Sequence, residues 1–430
     1  MPKNIVLCCD GTGNEIGVTI SNVLKLFRIV EKNDRQRVWY NAGVGTIGQQ
    51  NPWTRFLQKL RGVFGLATAL GLDDHVLAAY RYLCSTYEDG DQVYLFGFSR
   101  GAYTVRALAA FVHVMGLFRP DQLNVAGYAW TAFKRASAKD PTRGTPNLAR
   151  TASQVAQKLS PLEEAWHFSR VIGGKPITIH FIGVWDTVAS VIVPRYEQLS
   201  ISLQTLRFTR TNPSVKMFRQ AIAIDERRRM FRLNRWTEPQ DFRPNPFDRS
   251  SDVPQDIKQV WFAGVHADIG GGYKEAESGL SKYPLAWMAE EAAAAGLRVN
   301  RAMVNHLVYG KNRAGSTHSY TPPDFKAKLH RSLTVWWAPL EILPKLAKWR
   351  EWPKGRPAFL GLYIPWAEPR PIPAGAMVHQ SAVDRRSAGI GYDPTNWPTS
   401  PVVVPETPAR ARKRTVKQQG AAGNAGTETT

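Results

Sequence analysis

Three residues, each just past an apolar run, suit acyl transfer: Ser99, Asp186 and His266. A serine hydroxyl becomes a nucleophile when an imidazole takes its proton, and a buried carboxylate holds that imidazole in the right orientation. Ser…Asp…His is one of the chain orders in which this constellation recurs. Ser99 lies in Gly97-Phe98-Ser99-Arg100-Gly101, preceded by the strand-forming residues 93–96 and followed by a helix over 104–110. On such a strand-to-helix turn the two glycines let the backbones approach without Cβ clashes. The N–H of Arg100, at the helix start, is one expected donor to an oxyanion, and the turn at Gly11 and Thr12 is the second. His379, in Val378-His379-Gln380-Ser381, is the alternative base.

The elements that must position these residues read as alternating strands and helices. Residues 4–9 and 38–41 form strands. A helix with apolar spacing covers 72–87, with Asp73 and Asp74 at its start, and leads into the serine strand. Residues 177–184 form a buried strand ending at Asp186, and 259–264 is the last clear strand before His266. A helix follows over 283–297, and 220–224 is a short strand or a helical turn. The pattern predicts an α/β fold with a mostly parallel sheet flanked by helices. Its core spans 1–300, with insertions at about 117–175 and 190–255. A cap or lid continues the domain over 301–398, and 399–430 reads as a disordered basic tail. The cap carries Trp336, Trp337, Trp349, Trp352 and Trp366 among lysines and prolines, a composition suited to core packing or to a lipid interface.

Two other motifs carry less. Asp10-Gly11-Thr12 has Cys8 where a phosphatase motif has its nucleophilic aspartate, which excludes that chemistry. Gly43-Val44-Gly45-Thr46-Ile47-Gly48 matches a dinucleotide pattern, but Pro52 follows and the next carboxylate is Asp73, so a loop is the better reading. His75, on the helix over 72–87, reads as structural.

A net charge of +21 favours polyanions, among them anionic lipid headgroups, nucleic acid or an acidic protein. The run 227–229 reads as a solvated face or a headgroup-binding rim. No basic helix with base-reading residues stands out, so no specific nucleic-acid partner is expected. Three cysteines argue against a disulfide framework. The N-terminus reads as neither a signal peptide nor a membrane span, so a cytoplasmic protein is expected.

Four stretches resemble one family: Cys-Asp-Gly-Thr-Gly-Asn at 9–14, Gly-Phe-Ser-Arg-Gly-Ala at 97–102, Gly-Val-Trp-Asp-Thr-Val at 183–188 and Gly-Val-His-Ala-Asp-Ile-Gly-Gly-Gly-Tyr at 264–273. It is the bacterial and fungal α/β-hydrolase family that includes the type VI secretion phospholipase effectors. Residues 224–227 and 379–381 look like weaker landmarks of it. The resemblance covers roughly 3–390. It implies an α/β-hydrolase fold, Ser99, Asp186 and His266 as the triad, and ester hydrolysis without metal or cofactor. It also leaves room for a secretion or immunity partner and for export by a signal-independent route. Phospholipid is the preferred substrate. A soluble carboxylesterase or thioesterase, and a pseudo-hydrolase or polyanion-binding module, are the alternatives.

Overall fold

A computed structural model describes residues 2–11, 19–43, 71–138, 160–188, 192–195, 200–203, 206–229, 231–333, 341–342, 345–346, 358–364 and 366–406. Its centre is an eight-stranded sheet. The strands are β1 (Asn4–Cys9), β2 (Gln36–Asn41), β3 (Gln92–Phe98), β4 (Ile179–Trp185), β5 (Val215–Ala223), β6 (Asp256–Phe262), β7 (Met377–His379) and β8 (Val402–Val404). They run in the spatial order β8-β7-β6-β5-β4-β3-β1-β2, and every neighbouring pair is parallel.

Such a sheet must be covered on both faces, and the side-chain alternation of the strands divides the core accordingly. Ile5, Leu7, Val93 and Leu95 face one layer, packed on α2 (Leu72–Thr86), α3 (Arg100–Met115) and α4 (Ala126–Ala138). Val6, Cys8, Tyr94 and Phe96 face the other, with α1 (Asn22–Ile29) and α7 (Lys282–Ala294). Between α4 and α7 in the chain come α5 (Pro161–Ile172) and α6 (His266–Gly270). Helices α8 (Arg301–Leu307) and α9 (Gln380–Ser387) follow α7. Ser21 caps α1 by accepting from Leu24 N–H and donates to Asp10, tying the helix start to the end of β1.

Three features differ from the sequence reading. Residues 220–223 belong to β5 and Ile224 just follows it, so a central strand runs inside the stretch read as an insertion. Lys216, Arg219 and Gln220 break its apolar run, yet Arg219 is buried and paired with Asp256 and Glu291, and Gln220 accepts from Arg106. β6 is not the last strand, because β7 and β8 extend the sheet by three residues each. β8 also lies in the stretch read as tail. The arginine run is no solvated face: only Arg227 is exposed, whereas Arg228 pairs with Glu226 and Arg229 is buried against Glu341 and Tyr363.

Residues 44–48 of the glycine-rich pattern and Trp336, Trp337, Trp349 and Trp352 lie outside the described residues. Trp366 is described and exposed. Among the described residues no helix is long and apolar enough to cross a membrane.

Candidate active site

The sheet changes direction between β1 and β3: the chain leaves β1 toward β2 at one side, then returns to build β3 and every later strand on the other. Ligands of open α/β sheets sit outside the carboxyl ends of strands at such a point. The strand ends line up there in register, with Cys9 beside Gly97, Phe98 beside Trp185, Trp185 beside Ala221 and Phe262 beside Ala223. The residues that follow these ends, Asp10, Ser99, Asp186 and the loop before His266, are therefore brought to one edge.

Ser99 is half-buried at the junction of β3 and α3, with φ 55° and ψ −118°. A non-glycine residue at positive φ is strained, and the surrounding structure must hold it there. The two glycines make the turn sterically feasible. A Cβ on Gly97 would lie 2.5 Å from Gly101 O, and one on Gly101 would lie 2.1 Å from Cys9 O. Hence α3 sits directly on the end of β1. The Ser99 side chain makes no capping bond to α3, so the cap does not consume its hydroxyl.

Asp186 is fully buried, also at positive φ (36°), and its carboxylate accepts from four donors. His266 Nδ1 is 2.5 Å from Oδ2, and Ala223 N–H is 3.1 Å from Oδ1. Arg370 donates through Nη1 to Oδ1 at 2.6 Å and through Nη2 to Oδ2 at 3.1 Å. Burial alone would push this acid's pKa up, but the Arg370 charge and the bonds from His266 and Arg370 more than reverse it, leaving Asp186 ionised.

His266 opens α6 and is 5% exposed. Its backbone N–H donates to Glu226 Oε2 at 3.2 Å. Its ring lies between Phe98, centroids 4.7 Å apart, and Phe231, 4.8 Å away edge-on. Phe98 immediately precedes Ser99, so the imidazole is seated beside the serine turn. The described side-chain bond of His266 is the one to Asp186, and bonds between a nucleophile and its base often tighten only with substrate. Burial lowers the His266 pKa, and the bond to Asp186 restores only part of that.

Of the three residues named from the sequence, the structure bonds His266 to Asp186 and seats its ring on Phe98, next to Ser99; Arg370 was not among those named. Glu226 entered the sequence reading only as a landmark. Glu226 is buried and binds Arg228, Ser332 and the His266 backbone. The alternative base, His379, ends β7, three strands from β4, and caps α9: its Nδ1 accepts from Ser381 N–H at 3.2 Å and lies 2.8 Å from Ser381 Oγ. Ser381 two residues on was the available signal for that cap. His75 bonds Asn41. Arg100 N–H begins α3, whose first turn lacks intrahelical acceptors. Gly11 N–H donates to Asp10 Oδ1 at 2.7 Å, and Thr12 lies outside the described residues. Among the described residues no group of three or more His, Cys, Asp or Glu is arranged to hold a metal ion.

A fully parallel, doubly covered sheet with a strained serine turn at its switch point belongs to the α/β-hydrolase class of folds. Within that class the chain belongs to the family described as type VI secretion system phospholipase effector Tle1-like, whose catalytic-domain model matches residues 3–291. An uncharacterized protein of Saccharomyces cerevisiae is 30% identical over 237 residues, 54% of this chain and 32% of that protein. Among solved structures, an uncharacterized protein from Pseudomonas aeruginosa aligns over 70% of this chain and 46% of its own at 18% identity, with a TM-score of 0.33. A Tle1 effector solved bound to the VgrG spike of the type 6 secretion system aligns over 65% of this chain and 53% of its own at 19% identity, with a TM-score of 0.30. The chain thus spans about a third of that curated relative and about half of each of these two structures.

Proposed function

We propose that the protein is a serine hydrolase that cleaves acyl esters of phospholipids. The observation that carries this reading is the Asp186–His266 pair seated against Phe98, next to the strained Ser99 turn. With Nδ1 committed to Asp186, Nε2 of His266 is the nitrogen that takes the Ser99 proton as Oγ attacks the ester carbonyl. The imidazolium returns that proton to the leaving alcohol, and an acyl-serine remains. Water, deprotonated by the same histidine, then releases the fatty acid and restores Ser99. The oxyanion is held by Arg100 N–H and the positive end of α3, with the turn at Gly11 and Thr12 as second donor. Gly11 must trade its bond to Asp10 to take part.

Lipid is favoured as substrate by the family's phospholipase description, by the net charge of +21 and by an exposed apolar turn. In that turn Phe359 is 78% and Leu360 85% exposed, and Trp366, further along the chain, is 53% exposed. Family membership also supports delivery by a type VI secretion system.

The test is fatty-acid release from anionic phospholipid vesicles by wild type and by Ser99→Ala. The wild type is expected to release fatty acid, and the variant to lose at least about 10⁴-fold in kcat. Equal release by both would remove Ser99 as nucleophile. Fluorophosphonate labelling at Ser99 without lipolysis would keep the triad and replace the lipid by another ester.

A further inference from the structure

The clamp on Asp186 comes from outside the stretch that matches the family's catalytic domain. Arg370 lies in the chain between the exposed turn at 359–362 and β7, and it is nearly as buried as its partner, with side chains 3% and 0% exposed. Besides the two bonds to Asp186, Nη1 donates to Ala223 O at 3.3 Å and Nη2 to Phe231 O at 2.9 Å. The guanidinium therefore joins the ends of β4 and β5 to the loop whose Phe231 flanks the His266 ring. A planar fork fixed at both ends sets position as well as charge.

Chemistry gives this fork a role. A carboxylate buried behind a histidine drifts toward its neutral form, and a neutral acid neither orients an imidazole nor stabilises an imidazolium. A fixed cation keeps Asp186 ionised. It also weakens the pull of Asp186 on the imidazole proton, so the histidine stays in its base form to lower pH. The other charges facing the pair, Glu226 and Arg228, come from the loop after β5 and are paired with each other.

We propose that Arg370 is a positioning residue of the triad, fixing Asp186 as an ionised, immobile acceptor and keeping His266 in its base form. The proposal rests on the triad reading above.

The test is the rate of Ser99 phosphonylation by a fluorophosphonate probe, followed against pH in the full chain. In that reaction Oγ displaces fluoride from phosphorus and His266 takes the serine proton. Wild type, Arg370→Gln and Arg370→Lys are compared. Removing the cation stabilises the imidazolium, so Arg370→Gln is expected to move the acid limb up by about one pH unit, a tenfold change in the protonation equilibrium. Arg370→Lys keeps the charge without the fork. It is expected to lose rate while holding the limb within about 0.3 unit of wild type.

A uniform loss of rate in Arg370→Gln, with the limb unmoved, would make Arg370 merely structural and overturn the proposal. So would an Arg370→Lys limb displaced as far as that of Arg370→Gln. Should Arg370→Gln fail to fold, Arg370→Met, which also removes the charge, is read in its place: a raised limb supports the proposal and an unmoved one overturns it. Wild type left unlabelled at Ser99, or His266→Ala labelled at the wild-type rate, would instead defeat the triad reading itself.

Discussion

A buried histidine between two aromatic rings gives up its proton easily, and His266 is placed that way. Burial favours its neutral form more strongly than Asp186 favours the charged one, so its pKa lies below the ordinary value of about 6.5. The neutral ring is the base, and it therefore persists to lower pH than in an exposed histidine. The acid limb of kcat/KM is expected to have its midpoint below pH 6.5. A pH series on a soluble ester or on probe labelling checks this, and a midpoint above that value would contradict it. Ser99, Asp186 and His266 were legible in the sequence because each sits in a local motif at a strand end. Arg370 was not. It is one of 56 lysines and arginines, in a stretch without periodicity, and only a fold that brings it 184 residues back along the chain to Asp186 gives it meaning.

At the scale of elements, the serine turn depends on how closely α3 seats on β1. Gly101→Ala would place a methyl group 2.1 Å from the Cys9 carbonyl oxygen, which is backbone and cannot swing aside. The helix must shift, carrying the Arg100 N–H away from Ser99. The variant is expected to lose Ser99 labelling by at least about 10²-fold, the scale set by misplacing a catalytic group by an ångström. Probe labelling of the folded fraction tests it, and wild-type labelling would show that the contact is dispensable. The long strands, the helices and the serine turn were readable from runs and glycine spacing. β5 was obscured because its polar residues are satisfied by distant partners. β7 and β8, three residues each, are too short for alternation to register.

Over the whole molecule, the family match ends at residue 291, but the structural unit does not. His330 bonds Asp268, two residues past His266, at 2.7 Å, and its ring stacks on Tyr273. Ser332 and Glu341 reach Glu226 and Arg229, and Arg370 reaches Asp186. We therefore propose that the stretch 301–398 is part of the catalytic body. A chain cut after residue 300 would bare the edge of β6, an invitation to aggregate, and would strip the site of its clamp. It is expected to be poorly soluble and unlabelled at Ser99, as sedimentation and probe labelling would report. A soluble, labelled product would show that the matched stretch suffices.

The Asp186–Arg370 bond also has a place in time. A ribosome adds roughly 5–20 residues per second, so the 184 residues between the partners take about ten to forty seconds to make. During that interval the emerging polypeptide already carries Ser99, Asp186 and, for part of it, His266, but not the cation that completes their surroundings. The order of synthesis thus delays completion of the site until most of the chain has been made.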